Sequence, residues 1–254
     1  MNVDTANTVI FDLDGTLIDS APVVADLLNR MRKQSGKRPL QIDFYRARIS
    51  CGATELVSTS MDIDIKNIER YVCEFRENYF NYPTPLNCLY DGVIETTKTL
   101  SGRGVKLGVC SNKPEHLCRK IITEIGIDKI IDVIVGGDTL SVSKPYREPL
   151  DYAINKLGGF HQKSMLVGDS TIDQRCAMAA NIPFIFFRHG YLANRIYVVL
   201  FLECITGRGG RSRKGFRFLF RFGAGLGNGS LPEMLNHLRQ NTDRDFPGQL
   251  GIDV

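Results

Sequence analysis

Short apolar segments recur along the chain, and each is followed by a polar turn and then by apolar residues at helical spacing. This alternation is typical of a parallel sheet whose two faces are covered by helices. The pattern predicts five strands, which are Val9 to Phe11, Val105 to Cys110, Ile131 to Val135, Met165 to Val167 and Pro183 to Phe187. We therefore expect an α/β fold built on a parallel sheet.

The interval between the first two strands is long and contains helical patterns of its own, at Val23 to Lys33 and Ile68 to Phe80. An interval of this length exceeds what a simple crossover between neighbouring strands needs. We therefore predict a helical subdomain over residues 20–88. It is inserted after the first strand of an α/β core that comprises residues 1–19 and 89–191.

Helical patterns also accompany the later strands. They cover Val93 to Leu100, Pro114 to Ile125, Pro145 to Leu157 and Ser170 to Asn181. Pro114 and Pro145 suit the first turn of a helix, where the missing N–H would be unpaired anyway. Asn181 can take the left-handed conformation that ends many helices.

The first strand runs directly into two acidic residues, Asp12 and Asp14, which are followed by Gly15. Side chains two residues apart in an extended chain point to the same side, so both carboxylates can face one site. Gly15 permits a sharp turn after them. Taken alone, the motif is also compatible with exposed acids in a loop.

Polar residues end the other strands as well. Ser111-Asn112-Lys113 follows the second strand, Lys144 follows the third, and the segment from Asp169 to Asp173 follows the fourth. Each has an ordinary explanation on its own, as a turn, a solvated lysine or acids at a helix start. Ligand sites of open parallel sheets lie outside the carboxyl ends of the strands, so we expect these residues to converge on one site.

The predicted site combines oxygen ligands with a fixed positive charge. Asp12, Asp169 and a backbone carbonyl are hard ligands, which suit Mg²⁺ better than zinc. A phosphomonoester is a dianion near neutral pH, so a carboxylate nucleophile needs cations beside it. Lys144 and the Ser111 hydroxyl would stabilise the phosphoryl oxygens. With Asp12 as the nucleophile, Asp14 is free to donate and accept protons.

From about Thr8 to Gly190, these motifs resemble those of the haloacid dehalogenase superfamily, and within it the phosphoglycolate phosphatase-like phosphatases with an inserted helical cap. The resemblance implies a Rossmann-like parallel sheet core and a magnesium-dependent phosphatase that forms an aspartyl-phosphate. It implies that Asp12 is the nucleophile and Asp14 the acid and base. The other implied roles are phosphate binding by Ser111, Asn112 and Lys144, and metal binding by Asp12, the Asp14 carbonyl and Asp169, with Asp173 in support.

The cap of this family often supplies substrate specificity, and the candidate residues here are Arg46 and Arg48. Either could bind a substrate carboxylate or second phosphate, although both are equally compatible with ordinary surface charges. The expected substrate is a small phosphorylated metabolite, with phosphoglycolate the first to test. Two alternatives stay open: a sugar phosphomutase that uses the same aspartyl-phosphate, and a binding or regulatory homologue without turnover.

Composition and charge indicate which partners and which cellular compartment to expect. The net charge of +4 is small and its excess is concentrated late in the chain, so no DNA partner is expected. The seven cysteines form no C-x-x-C pair, which favours a reducing compartment. No secretory signal pattern is visible, and the apolar run Ile196 to Ile205 is too short to span a membrane. We therefore expect a cytoplasmic protein, and the oligomeric state is not indicated.

Two features depart from the family pattern. Arg147 stands where related sequences often have a second proline, a change that should leave Lys144 in position. Residues 192–229 are first apolar and then rich in Gly and Arg. They could bind RNA or an acidic membrane, but their composition favours an insertion without function, which could impair activity. Residues 230–254 are predicted to hold the last core helix and a tail.

Overall fold

Five parallel strands form one sheet in the computed structural model, which describes residues 6–191. The strands are β1 (Thr8–Phe11), β2 (Lys106–Cys110), β3 (Val133–Val135), β4 (Ser164–Gly168) and β5 (Phe184–Phe186). Their order across the sheet is β3-β2-β1-β4-β5, with β1 at the centre. The predicted α/β fold is therefore confirmed, whereas the predictions for residues 192–229 and 230–254 lie outside the described residues.

Eight α-helices are present in this part of the chain. They are α1 (Ala21–Gln34), α2 (Ile42–Arg46), α3 (Ala53–Met61), α4 (Glu69–Asn81), α5 (Val93–Gly102), α6 (Glu115–Glu124), α7 (Glu148–Lys156) and α8 (Thr171–Ala179). Asn181, just beyond α8, has a φ of 53°, in the left-handed region as predicted. None of the helices between residues 6 and 191 is both long enough and apolar enough to cross a bilayer.

Alternate residues of β1 enter two hydrophobic cores. Val9 and Phe11 pack in a cluster that includes residues of α5 and α6, whereas Ile10 packs with residues of α7 and α8. Successive side chains of a strand point to opposite faces of the sheet. The sheet is therefore covered on both faces, which explains why its strands are predominantly apolar.

Helices α1 to α4 fall in the interval predicted for the inserted subdomain, and they pack against one another. In α1 the buried residues include Val24, Leu28 and Met31, whose spacing of four and three residues gives one apolar face. The bounds of the subdomain, residues 20–88, stay a prediction. We refer to α1 to α4 as the inserted helices.

The chain segments on either side of the inserted helices lie next to each other. The Asp19 N–H donates to the Cys88 carbonyl at 2.7 Å, and the Tyr90 N–H donates to the Leu17 carbonyl at 3.2 Å. The chain therefore enters and leaves this region at one place, close to the end of β1.

The prediction that Pro145 lies in the first turn of a helix is wrong. Helix α7 begins only at Glu148, and Pro149 occupies its first turn. Pro145 follows a cis peptide bond and lies in a tight turn, which the Tyr146 N–H closes on the Ser143 carbonyl at 3.1 Å. The central residues of such a turn are not helical, so the helix starts after it.

Candidate active site

The ends of the central strands bring the predicted residues to one edge of the sheet. Asp12 directly follows β1, Ser111 follows β2 and Asp169 follows β4. Lys144 comes from the loop after β3, and its side chain reaches Asp12. These side chains therefore meet where parallel sheets commonly bind ligands.

Lys144 bridges two carboxylates inside the site. Its Nζ donates to Asp12 Oδ1 at 2.9 Å and to Asp173 Oδ1 at 2.6 Å. Burial by itself lowers the pKa of Lys144, but the attraction of the two carboxylates outweighs this effect and holds the pKa well above its usual value. Lys144 therefore supplies a permanent positive charge.

Asp12, Asp169 and Asp173 form a buried acidic cluster, in which each residue has a carboxylate oxygen within 4.8 Å of the others. Burial raises the pKa of Asp12 well above its usual value, and repulsion by Asp173 adds to this against the opposing effect of Lys144. Burial also raises the pKa of Asp169 to about 7. The cluster therefore favours a proton or a cation among these oxygens.

The two acids that follow β4 differ in their hydrogen bonds. Asp173 Oδ1 accepts from Lys144, and its Oδ2 accepts from the N–H and hydroxyl of Ser170, closing a capping box at the start of α8. Asp169 Oδ2 accepts from the Tyr191 N–H at 2.7 Å, but its Oδ1 is buried and has no partner among residues 6–191. Asp169 thus offers a free ligand atom, whereas Asp173 holds Lys144.

Two glycines allow the backbone to approach Asp169 closely. A Cβ added at Gly15 would lie 2.3 Å from Asp169 Oδ2, and one added at Gly190 would lie 2.2 Å from Asp169 Cβ. Gly15 also has a φ of 85°, in the region that favours glycine. A larger residue at either position would displace the Asp169 side chain or the backbone beside it.

A second lysine, to which the sequence reasoning assigned no role, pairs with Asp14. The Nζ of Lys113 lies 2.6 Å from Asp14 Oδ1 and 3.1 Å from the hydroxyl of Tyr79 on α4. Burial lowers the pKa of Lys113, but the attraction of Asp14 more than offsets this and raises the pKa above its usual value. In the sequence, a role for Lys113 is indicated by its position directly after Ser111 and Asn112 at the end of a predicted strand.

The site holds more acidic than basic groups. Four carboxylates and two ammonium groups lie in it, and together they leave a formal charge of −2 when all are ionised. The groups are Asp12, Asp14, Asp169 and Asp173 with Lys113 and Lys144. Such an excess of buried negative charge is costly unless a cation balances it.

Ser111 and Asn112 line the same cavity as Lys144, but their polar groups differ in availability. The Ser111 hydroxyl accepts from the Lys113 N–H at 3.2 Å, and its own proton is free to donate. The Asn112 Nδ2 donates to the carbonyls of Lys144 at 3.1 Å and Ser50 at 3.3 Å. Asn112 therefore positions the Lys144 loop, and phosphate binding by these residues stays a prediction.

Arg46 and Arg48 both have partners away from the acidic cluster. Arg46 forms ion pairs with Asp19 at 3.3 Å and Asp43 at 3.2 Å. Arg48 donates to the Phe44 carbonyl at 2.9 Å, and its guanidinium carbon lies 3.9 Å from the centre of the Phe44 ring. Neither arginine lines the cavity beside Asp12. Their role in specificity stays a prediction.

A cavity of about 580 Å³ opens beside Asp12 and Asp14. Part of this space is open to solvent. The inserted helices and the loop before α3 contribute one wall of it, including Ile49, Leu56, Phe75, Arg76 and Tyr79. A small molecule bound there would be enclosed between these helices and the sheet edge.

Residues 9–187 match the family described as haloacid dehalogenase-like hydrolase. A phosphoglycolate phosphatase of Rhodospirillum rubrum is 35% identical over 193 residues, which cover 72% of this chain and 80% of that protein. Another from Colwellia psychrerythraea is 32% identical over 199 residues, covering 75% and 88%. The crystal structure of a predicted phosphoglycolate phosphatase from Haemophilus somnus is 26% identical, with a TM-score of 0.66 over 75% of this chain and 89% of that one.

Proposed function

The chain belongs to the haloacid dehalogenase-like hydrolases, and we propose that it is a magnesium-dependent phosphatase that hydrolyses a small phosphomonoester through an aspartyl-phosphate on Asp12. The observation that carries the proposal is the buried acidic cluster around Lys144 at the strand ends. Similarity to the phosphoglycolate phosphatases makes phosphoglycolate the first substrate to test. A cytoplasmic location stays a prediction.

The site fits a divalent cation with a preference for oxygen ligands, such as Mg²⁺. Its formal charge of −2 would be balanced by one such ion. The unpaired Asp169 Oδ1, a carboxylate oxygen of Asp12 and the Asp14 carbonyl are the proposed ligands, while Asp173 supports them by holding Lys144. A bound Mg²⁺ would offset the repulsion between the phosphate dianion and the Asp12 carboxylate.

Asp12 is the proposed nucleophile of the first step. Lys144 holds its Oδ1, and within residues 6–191 its Oδ2 accepts no hydrogen bond, so Oδ2 is available for attack. A bond forms between Asp12 Oδ2 and phosphorus as the ester bond from phosphorus to oxygen breaks. Asp14 gives a proton to the departing alcohol oxygen. Lys144 and the Ser111 hydroxyl stabilise the charge that spreads over the phosphoryl oxygens.

Asp14 acts again in the second step, now as a base. It takes a proton from water as the water oxygen attacks phosphorus, and the bond to Asp12 breaks to release inorganic phosphate. Lys113 holds one oxygen of Asp14 at 2.6 Å and is itself held by Tyr79, so the carboxylate has a fixed orientation. Division of the hydrolysis into two steps lowers the barrier of each.

Release of inorganic phosphate from phosphoglycolate and from an aryl phosphate, measured with Mg²⁺ or with EDTA, tests this proposal. We expect turnover that requires the cation. We also expect the Asp12→Asn variant to lose at least about 10³-fold in activity because the nucleophile is missing. Asp26→Asn is the matched control, since Asp26 pairs with Arg30 on the surface of α1. Full activity of Asp12→Asn, or full activity in EDTA, would contradict the proposal.

A further inference from the structure

Three cationic side chains of the described residues line the cavity beside Asp12, and one of them has no acidic partner in that part of the chain. Lys113 pairs with Asp14, and Lys144 pairs with Asp12. The third is Arg76, whose guanidinium forms no ion pair within residues 6–191 and whose Nε is buried without a hydrogen-bond partner. A buried donor without a partner is costly, so this group is suited to receive an acceptor from a ligand.

Helix α4 holds Arg76 in the wall of the cavity. Its neighbours Phe75 and Tyr79 are buried, with ring centres 5.9 Å apart in an edge-to-face arrangement. The Tyr79 hydroxyl accepts a hydrogen bond from Lys113, which ties this part of α4 to the reactive edge of the sheet. Residues three apart in a helix lie side by side on one face, so Arg76 is adjacent to Tyr79 on the cavity side.

We propose that Arg76 binds a carboxylate of the substrate, so that the enzyme selects phosphomonoesters that carry a carboxylate close to the phosphate. The inference rests on the proposed phosphatase function, which accounts for the phosphate end of the substrate. The planar guanidinium can donate to both carboxylate oxygens at once. A single carboxylate also balances its single positive charge and gives the buried Nε an acceptor.

The two arginines named from the sequence are less suited to this role. A carboxylate at Arg46 would compete with its ion pairs to Asp19 and Asp43. Arg48 is stacked on the Phe44 ring and bonded to the Phe44 carbonyl. Arg76 has no such pair to break within residues 6–191, and it lines the same cavity as Asp12.

The proposal is tested by steady-state kinetics on two matched substrates. These are phosphoglycolate and ethyl phosphate, and ethyl phosphate lacks the carboxylate. Arg76→Gln should lower kcat/KM for phosphoglycolate about 10- to 100-fold, mainly by raising KM. The kcat/KM of the same variant for ethyl phosphate should differ from the wild-type value by less than about threefold. Arg76→Lys should retain part of the selectivity, because it keeps the charge but loses the planar fork. Arg70→Gln, at an exposed position of the same helix, is the control and should match the wild type.

Equal losses on both substrates would overturn the proposal, because they indicate a structural role. Unchanged kcat/KM for phosphoglycolate in Arg76→Gln would also overturn it. Calorimetric binding of phosphoglycolate to Asp12→Asn, with and without Arg76→Gln, gives a second measurement that needs no turnover. Binding weakened about tenfold or more supports the role of Arg76, and unweakened binding overturns it. Failure of the proposed phosphatase function is seen separately, as no phosphate release from either substrate by the wild type.

Discussion

Replacement of Lys144 by methionine tests how the buried charges are balanced. In the wild type, its Nζ lies 2.9 Å from Asp12 and 2.6 Å from Asp173, and the side chain is 2% exposed. Lys144→Met removes the partner of both carboxylates and changes the formal charge of the site from −2 to −3. Methionine is of similar length and fills most of the same space, so lost packing contributes little.

Removal of one partner from a buried ion pair costs about 3–5 kcal/mol, because the other charge stays buried. With a urea dependence of about 2 kcal/mol per M, the unfolding midpoint should fall by about 1.5–2.5 M. The loss should be smaller at pH 5 than at pH 7. Burial already raises the pKa of Asp12, the loss of Lys144 raises it further, and protonation removes the unpaired charge as the pH falls.

Urea unfolding in metal-free buffer at pH 7 and pH 5 measures the effect. Lys163→Met is the matched control, because Lys163 is exposed and forms no ion pair among the residues described. Addition of Asp173→Asn to Lys144→Met should recover part of the loss, since it removes one of the unpaired charges. The reasoning is refuted by a midpoint for Lys144→Met within about 0.3 M of the wild type, or by losses that simply add in the double variant.

Three further changes probe the same region. Gly15→Ala should lower the unfolding free energy by more than the roughly 1–2 kcal/mol of a left-handed residue, because its Cβ would lie 2.3 Å from Asp169 Oδ2. Gly158 also has a positive φ but has open space around it, so Gly158→Ala should lose only the roughly 1–2 kcal/mol of a left-handed residue in urea unfolding. Without metal, the pKa of about 7 for Asp169 means that its contribution to stability is complete below about pH 4 and is lost as the pH rises through 7. Mg²⁺ should therefore raise Tm more at pH 8 than at pH 5, and a pH-independent increase would argue against this. Tyr191→Phe removes a hydroxyl that accepts two backbone N–H groups at the start of α1, at 2.7 and 3.1 Å, and should cost about 1–3 kcal/mol in urea unfolding. Tyr152→Phe, whose hydroxyl forms no hydrogen bond in the described part of the chain, should cost little, and an equal loss would contradict the reasoning.

Local patterns were sufficient to predict the sheet and the residues at its edge. The strand predicted over Val105 to Cys110 is observed as Lys106–Cys110. A short apolar run between polar turns favours a buried strand, and this local signal does not depend on distant residues. Asp12 and Lys144 converge for a similarly general reason, since parallel strands end at the same edge of the sheet. Both inferences depend only on strand direction and spacing.

Contacts between distant segments could not be predicted in the same way. Lys113 and Asp14 are separated by 99 residues, and their pairing depends on how the strand-end loops meet. The sequence also does not distinguish the exposed Arg70 from the cavity-lining Arg76, because the face that α4 turns inward depends on its packing against α1 and α3. The helix start predicted at Pro145 is wrong because Pro149 meets the same preference for proline in a first turn.

The paired segments 17–19 and 88–90 have a consequence for how this scaffold can change. They are joined by backbone hydrogen bonds and a bridge between Ile18 and Leu89, so the two ends of the intervening chain are anchored side by side. The entropy of closing a loop rises only slowly with its length. The intervening chain can therefore vary in length and sequence while its two ends stay anchored beside β1, provided that a group equivalent to Tyr79 still holds Lys113 against Asp14.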